Sequence, residues 1–432
     1  MKLLIKNGLV IDLEKKVFKK TDILVQGKRI SKIAKNIKEK TDSAIDAKGC
    51  YVLPGLIDIH THLREPGRED EESIESGSYA ALKGGFTTLC CMPNTEPAID
   101  SSGLVRFIRE RSRDVGLVDI YPIGAITKGR AGLELSEMIK MKEAGAVGFS
   151  DDGSWVSNPL LMRRAMEYSI VSGLPLIIHA EDERLSSGGM MNEGLLSLKM
   201  GLKGIPRESE IVAIARDIEL TRLTGARVHF THISCRESVE LIKRAKKDKL
   251  MVTADVTPHH LTLTEEAVGG YNTASKVNPP LRIEKDRKAL INGLKNNTID
   301  AIATDHAPHS SEEKDCNFSE ASFGTIGLET ALSLGLKLVD EGNIDIFSLI
   351  EKFTSNPANI VCFKDRGNIL KNYLADIIIV DPDLKWKFSS EEVGSRSRNT
   401  PFLNMELKGR VRTVVSKGKV LVDDFKLIGG CL

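Results

Sequence analysis

Two β-rich ends enclose a middle in which short apolar runs alternate with helix-length segments, and histidines and aspartates stand where those runs stop. Together these features predict an α/β protein: a (β/α)8 TIM-like barrel carrying a small β-sandwich domain formed by the N- and C-terminal segments. The ends are β-branched runs broken by glycine turns: 3–11, 22–34, 375–380 and 411–422, with turns at Asn7-Gly8, Gln26-Gly27 and Lys417-Gly418. The expected division is 1–53 plus 366–432 for the β domain and 54–365 for the barrel.

Eight runs supply the barrel strands in order: LIDIHTH (56–62), TTLCCMPN (87–94), VDIYPIGAI (118–126), AVGFSDD (146–152), PLIIHAE (175–181), RVHFTHI (227–233), MVTADVTPHH (251–260) and IDAIATDHAP (299–308). Between them lies helical spacing with stop signals. Examples are Leu104, Phe107 and Ile108; Leu135, Ile139 and Met141 before Gly145; and Ile211, Ile214 and Ile218 before Gly225. An open doubly wound sheet also alternates, but the first run lacks the G-x-G-x-x-G turn of a dinucleotide fold.

Across 432 residues, 61 Lys and Arg nearly balance 60 Asp and Glu, leaving a net charge of +1. No global field gathers nucleic acid or anionic lipid, so neither is an expected partner. The opening MKLLIKNGLVID meets Asn7, Gly8 and Asp12 too early for a leader's apolar core, and no run approaches the ~18 apolar residues of a membrane span. Cysteines 50, 90, 91, 235, 316, 362 and 431 form no C-x-x-C pair, which argues against a disulfide framework or thiolate zinc knuckle. A cytoplasmic protein is expected.

A barrel carries its chemistry where its strands end. His60 and His62 end the first run, Asn94 follows the second, Asp152 ends the fourth, His179 the fifth, His232 the sixth and Asp305 the eighth. His60 and His62, two apart in D-x-H-x-H, share a face of the strand, and with Asp305 they form a mixed N/O site suited to Zn²⁺ or a similar divalent ion. His179 and His232 are a second pair, and the two oxygens of Asp152 can bridge two metals ~3.5–4 Å apart. A lone histidine here is commonly hydrogen-bonded structure and a lone aspartate a helix cap. Six such positions on one rim are not what independent structural roles produce.

Of the other histidines, His229 has the opposite parity to His232 and is expected to point away from the barrel interior. His259 and His260 end the seventh run without supporting spacing, and His306 should face away from Asp305. His309 lies in the loop over the site and reads as substrate-facing. Two divalent ions offset by Asp152, Asp305 and a bridging hydroxide retain a charge of about +1. Arg64, two residues beyond His62, adds a fork suited to a carboxylate, so the expected substrate is a small anion.

At this level of detail the chain resembles the amidohydrolase superfamily and, within it, the long type I dihydroorotase family. The resemblance runs through DIHTHLREPG (58–67), MPNT (92–95), FSDDG (149–153), IIHAED (177–182), THIS (231–234), VNPPLR (277–282) and ATDHAPHSSEEK (303–314). It implies a zinc enzyme with two ions per subunit, bridged by Asp152 and hydroxide: one ion on His60, His62 and Asp305, the other on His179 and His232. It also implies that Arg64, Asn94 and His309, next to His62, grip the substrate carboxylate, and that Asn278 and the backbone at Phe323 and Gly324 hold the ring amides. Family spacing favours Asp152 over Asp151 as the bridge. The implied reaction is the reversible cyclisation of N-carbamoyl-L-aspartate to L-dihydroorotate plus water, with Asp305 as catalytic proton shuttle, in a protein that is a homodimer by analogy.

Related hydantoinases, dihydropyrimidinases and allantoinases commonly bridge their metals with a carbamylated lysine, whereas AVGFSDD contains none. A hydantoinase- or allantoinase-like hydrolase is the nearest alternative. A non-catalytic scaffold for aspartate transcarbamoylase is another, although such a protein would be expected to lack metal ligands, and none is missing here. A catalytic subunit that binds the transcarbamoylase remains compatible with the sequence. Cys235, where many relatives carry a small hydroxyl residue, leaves the metal set intact.

Overall fold

The first barrel strand, Leu56–Thr61, is buried at every residue, as a strand covered on both faces must be. It pairs in parallel with Phe86–Cys91, which pairs with Asp119–Pro122. On the far side Leu176–Ile178, Val228–Phe230, Val252–Val256 and Ala301–Ile302 form a parallel sheet in that order. Single bridges close the ring: Gly124 to Phe149, Phe149 to Leu176, and Thr61 to His306. This is the expected eightfold barrel in a computed structural model that describes residues 1–428, so Cys431 lies outside the described residues.

The strands are shorter than their runs, and two runs depart from expectation. The fourth, 146–152, forms no regular strand and contributes only the bridges at Phe149. The seventh stops at Val256: Thr257 caps the short helix Pro258–Thr262, which carries His259 and His260, because proline suits a first helical turn and has no N–H for a ladder. The helices Met138–Ala144 and Glu208–Thr224 end as predicted at Gly145 (φ 114°) and Gly225 (φ 77°).

Alternation sorts the barrel side chains. Ile57, Ile59, Cys90, Ile123, Ile177 and Ala301 fill the interior with Ala358 and Ile360 of the helix Ser355–Ile360. Leu89, Leu176, Ile178 and Phe230 face the surrounding helices. His229 pairs with Ile177 and therefore points inward, contrary to the parity argument made from His232. The strand ends at Phe230 and His232 has left-handed backbone (φ 38°), so alternation does not carry from one histidine to the other.

In the terminal β layers the run 3–11 breaks at Asn7 (φ 62°), and its halves Lys2–Lys6 and Leu9–Asp12 enter different sheets. The four-stranded sheet runs Arg29–Ala34, Asp22–Gln26, Lys2–Lys6, Ser43–Asp46. The seven-stranded one includes Leu9–Asp12 and Tyr51–Pro54 beside the C-terminal strands Ile377–Lys387, Glu406–Ser416 and Lys419–Asp423. Leu3, Ile5, Ile23 and Val25 pack against Val52, Ile377, Ile379 and Val415 between the sheets. Ile378, Val380 and Val414, on the opposite face, join the large core shared with the barrel helices. Each fully buried side chain of this size contributes ~1.5–3 kcal/mol.

Charge also joins the two parts at the base of the barrel. Arg366, 6% exposed, donates to Thr88 Oγ1 (2.7 Å) and Asp119 Oδ2 (3.1 Å), and Lys417 Nζ donates to Asp119 Oδ1 (2.6 Å). Removing one partner of such a buried set strands the others, so Arg366→Ala is expected to cost about 3 kcal/mol in urea denaturation. A loss below ~1 kcal/mol, the scale of an exposed pair, would show that the network contributes little.

Candidate active site

Six buried side chains converge at the C-terminal rim. His62 Nε2 lies 3.2 Å from His60 Nε2 and 3.0 Å from Asp305 Oδ1. Asp152 sits between the histidine pairs, its oxygens 3.3 Å from His60 Nε2, 3.6 Å from His62 Nε2, 3.7 Å from His232 Nε2 and 3.9 Å from His179 Nδ1. His179 Nδ1 and His232 Nε2 are 3.0 Å apart. Backbone geometry aims these groups: an extra residue between Asp58 and Thr61 bulges the first strand, and His232 (φ 38°) and Asp305 (φ 48°) adopt left-handed backbone at a cost of ~1–3 kcal/mol each. Asp151 points elsewhere, accepting from Ile126 N (2.8 Å), Thr127 N (3.0 Å) and the Thr127 hydroxyl.

The donor set fits divalent metal. His60, His62 and Asp305 form one group of converging ligand atoms, and His60, Asp152 and His232 another. Asp152 Oδ1 is buried without a hydrogen-bond partner, an expensive state for a carboxylate oxygen unless a cation meets it. Burial works against charge on His60, but Asp152 and Asp305 outweigh it and raise its pKa to about 10. Burial likewise opposes ionisation of Asp152 and Asp305, yet the imidazoles, His60 foremost, hold both well below the usual carboxylate range. The local field thus favours cations.

Outer partners hold these rings in place. His60 Nδ1 lies 2.6 Å from Thr231 Oγ1, which donates to Asp255 Oδ2 (3.0 Å); the same oxygen is 2.8 Å from His229 Nε2, and Asp255 Oδ1 accepts from His232 N (2.6 Å). His62 Nδ1 lies 2.8 Å from Asn94 Oδ1, and His179 Nε2 2.8 Å from Glu181 Oε2. Asp58 accepts from His60 N (3.0 Å) and from Thr304 Oγ1 (2.5 Å) across the barrel closure. Asp255 and Glu181 escaped the sequence reading. The only signals were an acid inside the apolar run MVTADV and another two residues after His179.

Arg64 and His309, two of the residues expected to grip a carboxylate, come together on the rim. Arg64 Nη2 lies 3.2 Å from His309 Nε2, which is 2.8 Å from Phe323 O. Glu71, an acid that the sequence does not single out, lies 3.0 Å from both Arg64 Nε and His309 Nδ1 and partly offsets their positive charge. At Gly324 (φ 145°) a Cβ would fall 2.8 Å from Ala307 O and 2.9 Å from His309 Cδ2, so only glycine fits. Asn278 lies on the other side, donating from Nδ2 to Glu181 Oε2 (2.7 Å). His260 bonds Thr257 and Pro279 O, and His306 bonds Glu72; both serve packing.

A family model described as Dihydro-orotase-like matches residues 49–238. Over 426 residues the chain is 48% identical to the dihydroorotase of Caldicellulosiruptor saccharolyticus, covering 98% of this chain and 99% of that one. Over 422 residues it is 45% identical to the dihydroorotase of Pelobacter propionicus, again covering 98% and 99%. Among solved structures, L-hydantoinase from Arthrobacter aurescens superposes with TM-score 0.89 at 24% identity, covering 99% of this chain and 97% of that one. Dihydropyrimidinase from Brevibacillus agri gives 0.86 at 23%, covering 99% and 96%. At such identities these two show the fold alone: a barrel carrying a β-sandwich. Within that fold class the chain belongs to the dihydroorotase family.

The loop bearing Phe323 and Gly324 is braced from beneath. Lys314 Nζ donates to Ser322 O (2.7 Å) and Gly324 O (3.0 Å), and Lys276 Nζ to Phe318 O (2.6 Å). Burial, and then the charge of Lys276, pushes Lys314 down to about 7 from its ordinary 10.5. Between those values the unfolded chain holds a proton that the folded chain lacks, so this group makes stability rise with pH. Measured by denaturation from pH 7 to about 9.5, wild type should gain stability relative to Lys314→Met. Parallel profiles would show that Lys314 titrates normally.

Proposed function

We infer that the chain interconverts N-carbamoyl-L-aspartate and L-dihydroorotate plus water in pyrimidine biosynthesis. The observation that carries this reading is the meeting of Arg64 and His309, 3.2 Å apart, beside the His and Asp rim. A grip for a carboxylate stands next to donors for divalent metal, and L-dihydroorotate joins a carboxylate to a cyclic amide. We assign two zinc ions, one to His60, His62 and Asp305 and the other to His179 and His232, with Asp152 between them. Bound there, such ions supply Lewis acidity that eases water deprotonation and polarises the amide carbonyl.

The chain's own groups do the rest. Arg64, His309 and the Nδ2 of Asn94 hold the substrate carboxylate, with His62 at the same wall; Asn94 is free to donate because its Oδ1 already faces His62. Asn278 and the backbone at Phe323 and Gly324 hold the ring amides. In ring opening, Asp305 takes the proton of the attacking water and passes it to the departing ring nitrogen. In synthesis it takes a proton from the carbamoyl nitrogen as that nitrogen attacks the side-chain carboxyl carbon, and returns it to the carboxyl oxygen, whose C–O bond breaks to release water.

The reading includes a barrel unit of residues 54–365, a β unit of 1–53 with 366–432, a cytoplasmic setting and a homodimer. Exposed apolar side chains on the helix Pro159–Ser172, Leu160 (60%), Tyr168 (53%) and Val171 (74%), support self-association. The family resemblance also makes aspartate transcarbamoylase a candidate partner.

Zinc-loaded protein offered L-dihydroorotate, a 5-substituted hydantoin and allantoin in parallel should open L-dihydroorotate far faster than the others. Preference for either of the others would overturn the assignment. Arg64→Ala should raise KM for L-dihydroorotate ~10–100-fold with a smaller change in kcat. An unchanged KM would remove Arg64 from the grip. Asp305→Asn should fold and lose ~1,000-fold in turnover, whereas near-parental turnover of the metal-loaded variant would exclude the proton shuttle.

A further inference from the structure

Glu181 leaves the fifth barrel strand two residues after His179, with its side chain 13% exposed. One oxygen of this carboxylate, Oε2, receives two contacts: His179 Nε2 at 2.8 Å and Asn278 Nδ2 at 2.7 Å. A carboxylate only accepts hydrogen bonds, so both partners must be donors. His179 therefore carries a proton on Nε2, and its Nδ1, 3.0 Å from His232 Nε2, keeps the lone pair that faces the rim. Asn278 commits its amide nitrogen to Glu181. Its Oδ1, on the other arm of the planar amide, is then what Asn278 offers a ligand.

We propose that Glu181 is a positioning residue that fixes the tautomer of His179 and the polarity of Asn278 with one oxygen, so that the site selects rings presenting an N–H to Asn278. Without that oxygen the Asn278 amide turns over freely and presents donor and acceptor alternately. The fixed acceptor favours cyclic amides and ureides with an unsubstituted ring nitrogen and disfavours rings that place an acceptor there, whose lone pair would meet Oδ1 unpaired. The neighbouring backbone is held independently, since Pro279 O lies 3.0 Å from His260 Nε2, so Glu181 acts on the side chain of Asn278 rather than on its loop. This inference rests on the reading that His179 binds metal and Asn278 binds substrate.

The test is a double-mutant cycle on the zinc-loaded enzyme, read as KM for L-dihydroorotate and as metal per subunit by elemental analysis. Glu181→Ala and Asn278→Ala should each raise KM ~10-fold, the scale of one lost hydrogen bond, and the double variant should be no worse than Asn278→Ala alone. Glu181→Gln, which keeps a carbonyl oxygen to accept both bonds, should limit the rise to ~3-fold. Metal retention should fall with Glu181→Ala in both backgrounds, because His179 loses its outer partner in each. Equal multiplication of KM by Glu181→Ala with and without Asn278 would overturn the proposal.

Should Glu181→Ala fail to fold, Asn278→Asp decides. It keeps an acceptor for substrate but sets carboxylate against carboxylate, and should raise KM at least as much as Asn278→Ala; a parental KM would overturn the proposal. A parent enzyme without L-dihydroorotate turnover would break the underlying functional reading, whereas an active parent with independent effects breaks this inference alone.

Discussion

Asp152 and Asp305, buried carboxylates facing four buried imidazoles, are the constraint on which the rest depends. Acidic groups taken out of water this far are costly unless matched by positive charge at close range. The sequence separates these six residues by as much as 245 positions, from His60 to Asp305, and the closed ring of strands, with Thr61 bridged to His306, brings these distant segments to one rim. Six of the eight barrel segments deliver one or two polar groups at their C-terminal ends and apolar filling below. A divalent cation would complete the electrostatics, and Asp152 Oδ1, buried without a hydrogen-bond partner, is the atom that would meet it.

Around this centre the chain spends irregular backbone rather than regular strand. The bulge after Asp58 and the left-handed residues Arg64, His232 and Asp305 all lie at the ends of strands that contribute to the site. Asp255, Thr231, Asn94 and Glu181 then pin the imidazoles from behind, so that each pinned ring has one nitrogen held and the other facing inward. Arg64 and His309 are held the same way: Glu71 meets both and tempers their charge.

Much of this was legible in the sequence. The eight barrel runs show because buried parallel strands are nearly continuous apolar segments, and the rim ligands show because His and Asp interrupt those segments at their ends. What was not legible depends on departures from regularity. Parity cannot be carried past Phe230, where the strand stops, so the position of His232 does not fix the direction of His229. Phe149 joins its neighbours through single bridges, and a propensity-based reading has no means of shortening AVGFSDD to one contact. Glu71, Glu181 and Asp255 are acids among many, and only their neighbours in space distinguish them. The run 3–11 looked like one strand because a single left-handed Asn7 before Gly8 suffices to send its halves into two sheets.

Diffraction from zinc-loaded crystals, collected on either side of the zinc absorption edge, tests the central claim most directly. Two anomalous peaks ~3.5–4 Å apart are predicted, one within reach of His60, His62 and Asp305 and the other of His179 and His232, with Asp152 between them. A single peak at the rim, or zinc bound instead at the Glu71, His309 and Glu313 group, would contradict it.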